Sequence, residues 1–372
     1  MTLEQKNIVF IGASSAAMGA ATHWVENHLD SHRLILIEEK THYNHVFAFP
    51  RAAVMSGFEE ELFVPYDNMF LGDSRIGQVV HARAIAIHKN HVELDREIPG
   101  FGNQISFEYL VYTAGATIPT PGRFKDITRE ACIERLREYQ RVIAKAQSPI
   151  IIGAGAVGIE LASEIKEYYP KKHVTLIHSR ARYLPRYKAS LDTITYNILQ
   201  KKGVKQIMGD RVILPPEGFP LEVKPIQVHT KNGKVIHGDL AIMCIGMTPN
   251  SKLLEQFIPE AINPVNGFVK VKPTMQIDVD GWPNIFVAGD VADHTDVKIG
   301  HYAWMQGLAA LTNIKHMISG EPVEPYKSPL VVLGSWIAAR SIPENVYATF
   351  SWNILKADPE KITSSSTTVE KQ

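Results

Sequence analysis

Short, mainly apolar runs recur along the chain, and three of the seven stop directly at a glycine or a carboxylate. They are Asn7 to Ile11, Arg33 to Ile37, Leu110 to Tyr112, Ser148 to Ile152, Val174 to Ile177, Leu240 to Cys244 and Asn284 to Val287. Runs of this length without polar alternation predict strands covered on both faces, as in a parallel sheet flanked by helices. After Gly158 the period changes: Leu161, Ala162 and Ile165 fall on one helical face, and Pro170 predicts the stop. A hairpin is predicted with arms Ile226 to Thr230 and Val235-Ile236, because Asn232-Gly233 between them favours a tight turn. The class is α/β, with two interleaved Rossmann-like dinucleotide-binding domains and a short C-terminal region.

The glycines sharpen this reading. Residues 151–160 spell Ile-Ile-Gly-Ala-Gly-Ala-Val-Gly-Ile-Glu, a complete G-x-G-x-x-G between a strand and a helix. Gly153 permits the strand-to-helix turn, Gly155 lets backbone amides approach a pyrophosphate, and Gly158 lets the helix pack on its strand. The helix N-terminus adds free N–H groups and a positive dipole end. A degenerate copy follows the first strand, with Gly12 kept, Ser14 in the second place and Ala17 in the third. Alanine is an allowed third residue. Ser14 is the larger departure, since its Cβ occupies the space of the pyrophosphate approach, although its hydroxyl is able to donate to a phosphate oxygen. The following strand ends in Glu38-Glu39, suited to a ribose hydroxyl, whereas the second copy ends in His178-Ser179-Arg180 with no carboxylate. Arg180 either meets the 2′-phosphate of NADPH or points to solvent.

Composition removes several classes. A chain of 372 residues predicts two or three domains. Its 39 basic and 39 acidic side chains cancel, so nucleic acid is not an expected partner. Lys171-Lys172 and Lys201-Lys202 read as solvated helix ends. No apolar run approaches the ~20 residues of a transmembrane helix. The first strand starts too early for a signal peptide and there is no Met-Gly start for myristoylation, so a cytoplasmic protein is expected. The segment Leu330 to Leu333 with Trp336-Ile337 offers peripheral contact with a membrane surface. Cys132 and Cys244 are the only cysteines and stand far apart, which excludes a paired-thiol relay beside a flavin. The tail Ser364 to Gln372 reads as disordered.

Together, Tyr112-Thr113-Ala114-Gly115, Gly153 to Glu160 with Ile165 to Ser179, and Val287-Ala288-Gly289-Asp290 resemble the two-dinucleotide-binding flavoprotein family. The likeness extends to its apoptosis-inducing-factor-2-like, or ferroptosis-suppressor-like, group. Cys244-Ile245-Gly246 echoes the Thr113-Ala114-Gly115 strand end. The resemblance implies FAD, NADPH or NADH as electron donor, and a quinone as acceptor. It implies an FAD domain of residues 1–118 and 270–325, an NAD(P)H domain of 119–269, and a C-terminal region from 326 to 372. On the FAD side it implies roles for Gly12, Ser14, Ala17, Glu38, Lys40, Thr113, Gly115 and Gly289. Asp290 is then the carboxylate on the ribityl chain, or else a helix cap. Val80 meets the adenine through its backbone, or is an ordinary strand valine. The segment Tyr43 to Arg51 lies against the flavin, and Arg51 meets either flavin phosphates or a surface carboxylate. A helix starting near Lys298 to His301 points at the flavin pyrimidine ring. On the nicotinamide side stand Gly153, Gly155, Gly158, His178, Arg180 and Gly246. Glu160 neighbours the nicotinamide, or is a plain exposed helix glutamate. Trp336 and Trp352 wall the acceptor pocket or belong to a core. A non-catalytic nucleotide sensor is the alternative from another class, favoured by Ser14.

Overall fold

The computed structural model describes residues 5–187 and 189–328. The described chain forms two compact units: residues 5–44, 64–116 and 248–328 make the first, and 45–63 with 117–247 the second. Residues 45–63, sequence neighbours of the first fold, thus group with the second. Trp336, Trp352, Leu330 to Ile337 and the tail from Ser364 lie outside the described residues.

The first unit is built on a five-stranded parallel sheet in the order Ile285–Val287, Tyr109–Tyr112, Lys6–Ile11, His32–Glu38, Gly77–His81. Its strands are apolar because both faces are covered: Ile8, Phe10, Leu34, Leu36, Leu110 and Phe286 are all fully buried. The stretch between the second and fourth of these strands in the chain is not only loop. It contributes a three-stranded antiparallel sheet, Ala84–Ile87, His91–Ile98 and Gly102–Ser106. The helix implied near Lys298 to His301 runs over Gly300–Ser319.

That helix meets Ser15–Asn27 backbone to backbone, and glycine makes the contact feasible. A Cβ on Gly19 would stand 2.3 Å from the Trp304 carbonyl oxygen, and one on Gly307 1.9 Å from that of Ala16. Neither glycine belongs to the motif legible in sequence. Gly307→Ala is therefore expected to cost about 2–3 kcal/mol of stability through forced separation of the helices. Thermal unfolding followed by circular dichroism checks this, and a loss below about 0.5 kcal/mol would show that the helices part freely.

The second unit holds a four-stranded parallel sheet, ordered Lys205–Ile207, Thr175–Ile177, Pro149–Ile152, Leu240–Met243. Helix Ala156–Tyr168 buries Leu161, Ala162 and Ile165 and ends two residues before Pro170. The hairpin pairs Ile226–His229 with Val235–Gly238, and Gly233 takes the positive φ of 79° its turn requires. Helix Arg129–Lys145 starts at Thr128, whose side chain accepts from the Ala131 amide, and it buries Cys132, Leu136 and Ile143.

One expectation is overturned. Lys172 is not a solvated helix end; it is 5% exposed. Its Nζ donates to the carbonyls of Ala144 and Ala146, at the negative end of helix Arg129–Lys145, and lies over the Tyr169 ring. Lys202 is likewise held, in an ion pair with Glu167, while Lys171 and Lys201 are exposed.

Candidate functional site

In the first unit the strand Lys6–Ile11 runs into Gly12, whose φ of 99° and close approach to the Thr113 carbonyl oxygen, 2.6 Å from a hypothetical Cβ, admit glycine alone. Ser14 then caps helix Ser15–Asn27 in extended geometry, and its side chain makes no capping hydrogen bond. Its hydroxyl is thus not committed to the helix end. Ala17 is buried. The loop is clamped from two sides: the Ala13 amide donates to Glu38 Oε2 at 2.8 Å, and the buried Tyr66 hydroxyl donates to the Ala13 carbonyl at 2.9 Å.

Glu38 Oε1 also accepts from the Lys40 amide at 3.0 Å. Burial pushes the Glu38 carboxyl up, with the Ala13 and Lys40 amides opposing. Each of its oxygens has a further lone pair for a ribose hydroxyl. Glu39 is turned away into an ion pair with Arg83. Lys40 lines a cavity of about 510 Å³ together with Tyr66, Phe70, Gln78 and His81. The Val80 side chain is buried on strand Gly77–His81, where it serves the core.

The strand ends beside this loop are tied to it. Thr113 Oγ1 donates to the Gly12 carbonyl at 2.7 Å. Gly115 has a φ of 67°, and its carbonyl accepts from the Asn250 amide at 3.0 Å while Asn250 Nδ2 donates to Ala114 at 2.8 Å. Gly289 has a φ of 83° and its amide donates to Gln306 Oε1 at 2.9 Å. Gln306 in turn donates to the buried Asp296 carboxylate at 3.0 Å. Asp290 follows, half-buried. The supporting residues Asn250, Gln306 and Tyr66 escaped the sequence reading. They reach the loops from distant stretches, and no local pattern marks them.

The second unit repeats the loop. Gly153 has a φ of 102° and stands against the Cys244 carbonyl; Gly158 is closer still, with a hypothetical Cβ 1.8 Å from the Gly153 carbonyl oxygen. Gly155 caps helix Ala156–Tyr168, and a Cβ there would meet nothing within 4 Å. That open space, bounded by a helix N-terminus, fits a pyrophosphate. His178, at the end of strand Thr175–Ile177, accepts the Ala154 amide on Nδ1 at 3.2 Å. Arg180 is exposed, as is Gly246, whose φ is 49°.

Glu160 is half-buried rather than plainly exposed. Burial and the neighbouring Glu164 carboxylate push its carboxyl up to about 8, against the opposing pull of Arg51. Arg51 itself pairs with Glu164 at 3.2 Å, with both side chains about a quarter exposed. That carboxylate is one of the two partners offered for Arg51 by the sequence. Glu164 was the missed partner; its i+4 spacing from Glu160 was the available signal. The segment Tyr43 to Arg51, expected from the resemblance to lie against a flavin, divides, with Tyr43 and Asn44 in the first unit and His45 to Arg51 in the second. Both cysteines are buried free thiols, and burial pushes Cys244 up to about 12. Among the described residues no cluster of His, Cys, Asp or Glu could hold a metal, and no helix is long and apolar enough to cross a membrane.

The chain is similar to several known proteins. Fe-regulated protein 8 of Mycosarcoma maydis is 33% identical, covering 87% of this chain and 84% of its own. Ferroptosis suppressor protein 1 of Mus musculus is 29% identical, covering 86% and 83%. The structure of reduced Bacillus anthracis CoADR-RHD superposes with a TM-score of 0.68 at 19% identity, over 89% of this chain; the chain spans only 59% of that protein's length. The profile of the pyridine nucleotide-disulphide oxidoreductases matches residues 6–307, and the chain belongs to that family.

Proposed function

We propose that this family member is an FAD-dependent NAD(P)H oxidoreductase that delivers electrons to a quinone-like small acceptor without a redox disulfide. The observation that carries this reading is the repeated loop. Each unit has a glycine turn at the end of its first sheet strand, a helix N-terminus facing open space or an uncommitted hydroxyl, and a side chain from the next strand bonded to the loop amide. Family membership implies FAD and NAD(P)H as the two occupants.

In this reading the first unit holds FAD. Gly12, Ser14 and Ala17 admit its pyrophosphate, Glu38 and Lys40 its ribose, the Val80 backbone its adenine, and Thr113, Gly115, Gly289 and Asp290 its flavin half. The second unit holds the nicotinamide cofactor through Gly153, Gly155, Gly158, His178, Arg180 and Gly246, with Glu160 beside the nicotinamide. When bound, the flavin supplies the hydride-accepting and electron-releasing chemistry that no side chain has. The chain orients the donor, excludes water and sets local charge. Cys132 and Cys244 are both buried free thiols, a setting that offers no thiol relay, so electrons leave without one.

An acceptor screen with the flavin-loaded protein and NADPH tests the acceptor class. Quinones are expected to outpace ferricyanide, oxygen and small iron proteins; dominance of a ferredoxin or rubredoxin would replace the quinone reading. NADPH is expected to serve at least as well as NADH, and steady-state kinetics with a strong NADH preference would contradict this.

A further inference from the structure

Beyond helix Gly300–Ser319 the chain turns back on itself. Gly320 takes a φ of 73° at the helix end, and residues 321–328 return along the helix as a strap. Asn313 grips its middle: Oδ1 accepts from the Glu324 amide and Nδ2 donates to the Glu324 carbonyl, each at 2.8 Å. The Tyr326 amide donates to the Pro273 carbonyl at 2.8 Å. At the far end the Tyr326 hydroxyl donates to Asp296 Oδ2 at 3.0 Å, and the Ser328 hydroxyl donates to Asp296 Oδ1. Burial and this carboxylate push the Tyr326 hydroxyl above its ordinary pKa, which keeps it a donor.

Asp296 is buried, and its second set of bonds leads away from the strap. Oδ2 also accepts from Gln306 Nε2 at 3.0 Å, while Gln306 Oε1 accepts from the Gly289 amide at 2.9 Å. Gln306 is buried too, and one amide orientation alone satisfies a donor on one side and a carboxylate on the other. His294 Nδ1 accepts from the Asp296 amide at 3.2 Å and stands 3.3 Å from Oδ2, its ring edge-on to that of Tyr326. A continuous set of hydrogen bonds thus runs from the strap to the Gly289-Asp290 strand end, all within the first unit. A buried network of this kind acts as a unit, since losing one member leaves its neighbours unpaired.

We infer that Asp296 is a positioning residue that, through Gln306, couples docking of the strap 321–328 to flavin binding at Gly289-Asp290. The inference rests on the flavin site proposed for the first unit. A docked strap gives Asp296 its full set of donors and so fixes Gln306. Gln306 in turn holds the Gly289 amide, in a residue whose φ of 83° sets the course of the strand end. Such coupling is reciprocal: a strap that favours the flavin is itself favoured by the flavin.

The test is hydrogen–deuterium exchange across residues 321–328 of the full-length protein with and without FAD, alongside the FAD dissociation constant from flavin fluorescence. In the parent, FAD is expected to slow exchange of the strap by about fivefold or more. Tyr326→Phe combined with Ser328→Ala removes both strap donors and no proposed flavin contact. In that variant the slowing should shrink below about twofold, and FAD should bind about fivefold more weakly. Asp296→Ala should do the same, whereas Asp296→Asn keeps an oxygen for Gln306 and Tyr326 and should restore the slowing. If Asp296→Ala does not fold, the strap variant decides alone. A purely structural role would speed exchange in the variants and leave the FAD-dependent ratio unchanged, which would overturn the inference. FAD that binds the parent without slowing the strap would also overturn it, and would leave the flavin site standing. A parent that FAD fails to reconstitute would overturn the inference and the flavin reading together.

Discussion

Gly155→Ala should leave the protein folded but nearly unable to use NAD(P)H, whereas Gly158→Ala, three residues on, should damage the fold itself. The two glycines belong to one motif and face opposite constraints. Gly155 has a φ of −74°, accessible to alanine, and its missing Cβ points into open space. Exchanging a helix cap from glycine to alanine costs only about 0.5–1 kcal/mol. The added methyl instead occupies the space proposed for the pyrophosphate, so KM for NAD(P)H should rise about tenfold or more. A Cβ on Gly158 would lie 1.8 Å from the Gly153 carbonyl and 3.2 Å from Cys244 Cβ, in the seam between helix and sheet. Separating them should cost about 3 kcal/mol or more. Denaturant unfolding and steady-state kinetics on both variants check the contrast. A Gly155→Ala protein with normal KM would remove the nucleotide from that space.

Glu160→Gln should abolish a pH dependence in both stability and turnover. The folded-state pKa of about 8 lies above the ordinary 4.5, so folding binds a proton between those values. The stability contribution is therefore fully present below pH 4.5 and is lost as pH rises through about 8. Glutamine does not titrate, so the Tm of the parent should fall relative to the variant by at least about 2 °C between pH 5 and 9. Turnover should move the other way. A dihydronicotinamide that gives up hydride becomes a cation, and an ionised Glu160 beside it stabilises that charge. Reduction by NAD(P)H should thus accelerate through pH 8 in the parent, stay flat in Glu160→Gln, and differ about tenfold at pH 9. Stopped-flow absorbance across that range measures it, and parallel profiles would take Glu160 away from the nicotinamide.

Much of the scaffold was legible because parallel strands buried on both faces leave uninterrupted apolar runs, and because Gly12 and Gly153 mark the turns after them. The loop positions at Ser14, Gly155 and Glu38 followed from the same local pattern. What remained hidden depends on contacts between distant stretches. Gly19 and Gly307 look like ordinary helix glycines until their helices are brought to backbone contact. Asn250, Gln306 and Tyr66 carry no motif, yet each is hydrogen-bonded to the backbone of a loop or strand end in the candidate site. Lys172 misled for a related reason. A lysine before a strand is usually solvated, but here the carbonyls at the end of another helix compensate its burial. The Arg51–Glu164 pair likewise joins residues 113 apart in sequence.

In the proposed function one chain holds a flavin and reduces it with a nicotinamide cofactor. The most direct measurement is the visible absorption spectrum of the purified protein, before and after anaerobic addition of NADPH and then NADH. A bound-flavin band that bleaches on addition is expected. A yellow protein that does not bleach would contradict the reductase reading, and a colourless protein that FAD fails to reconstitute would contradict the flavin site built around Ser14.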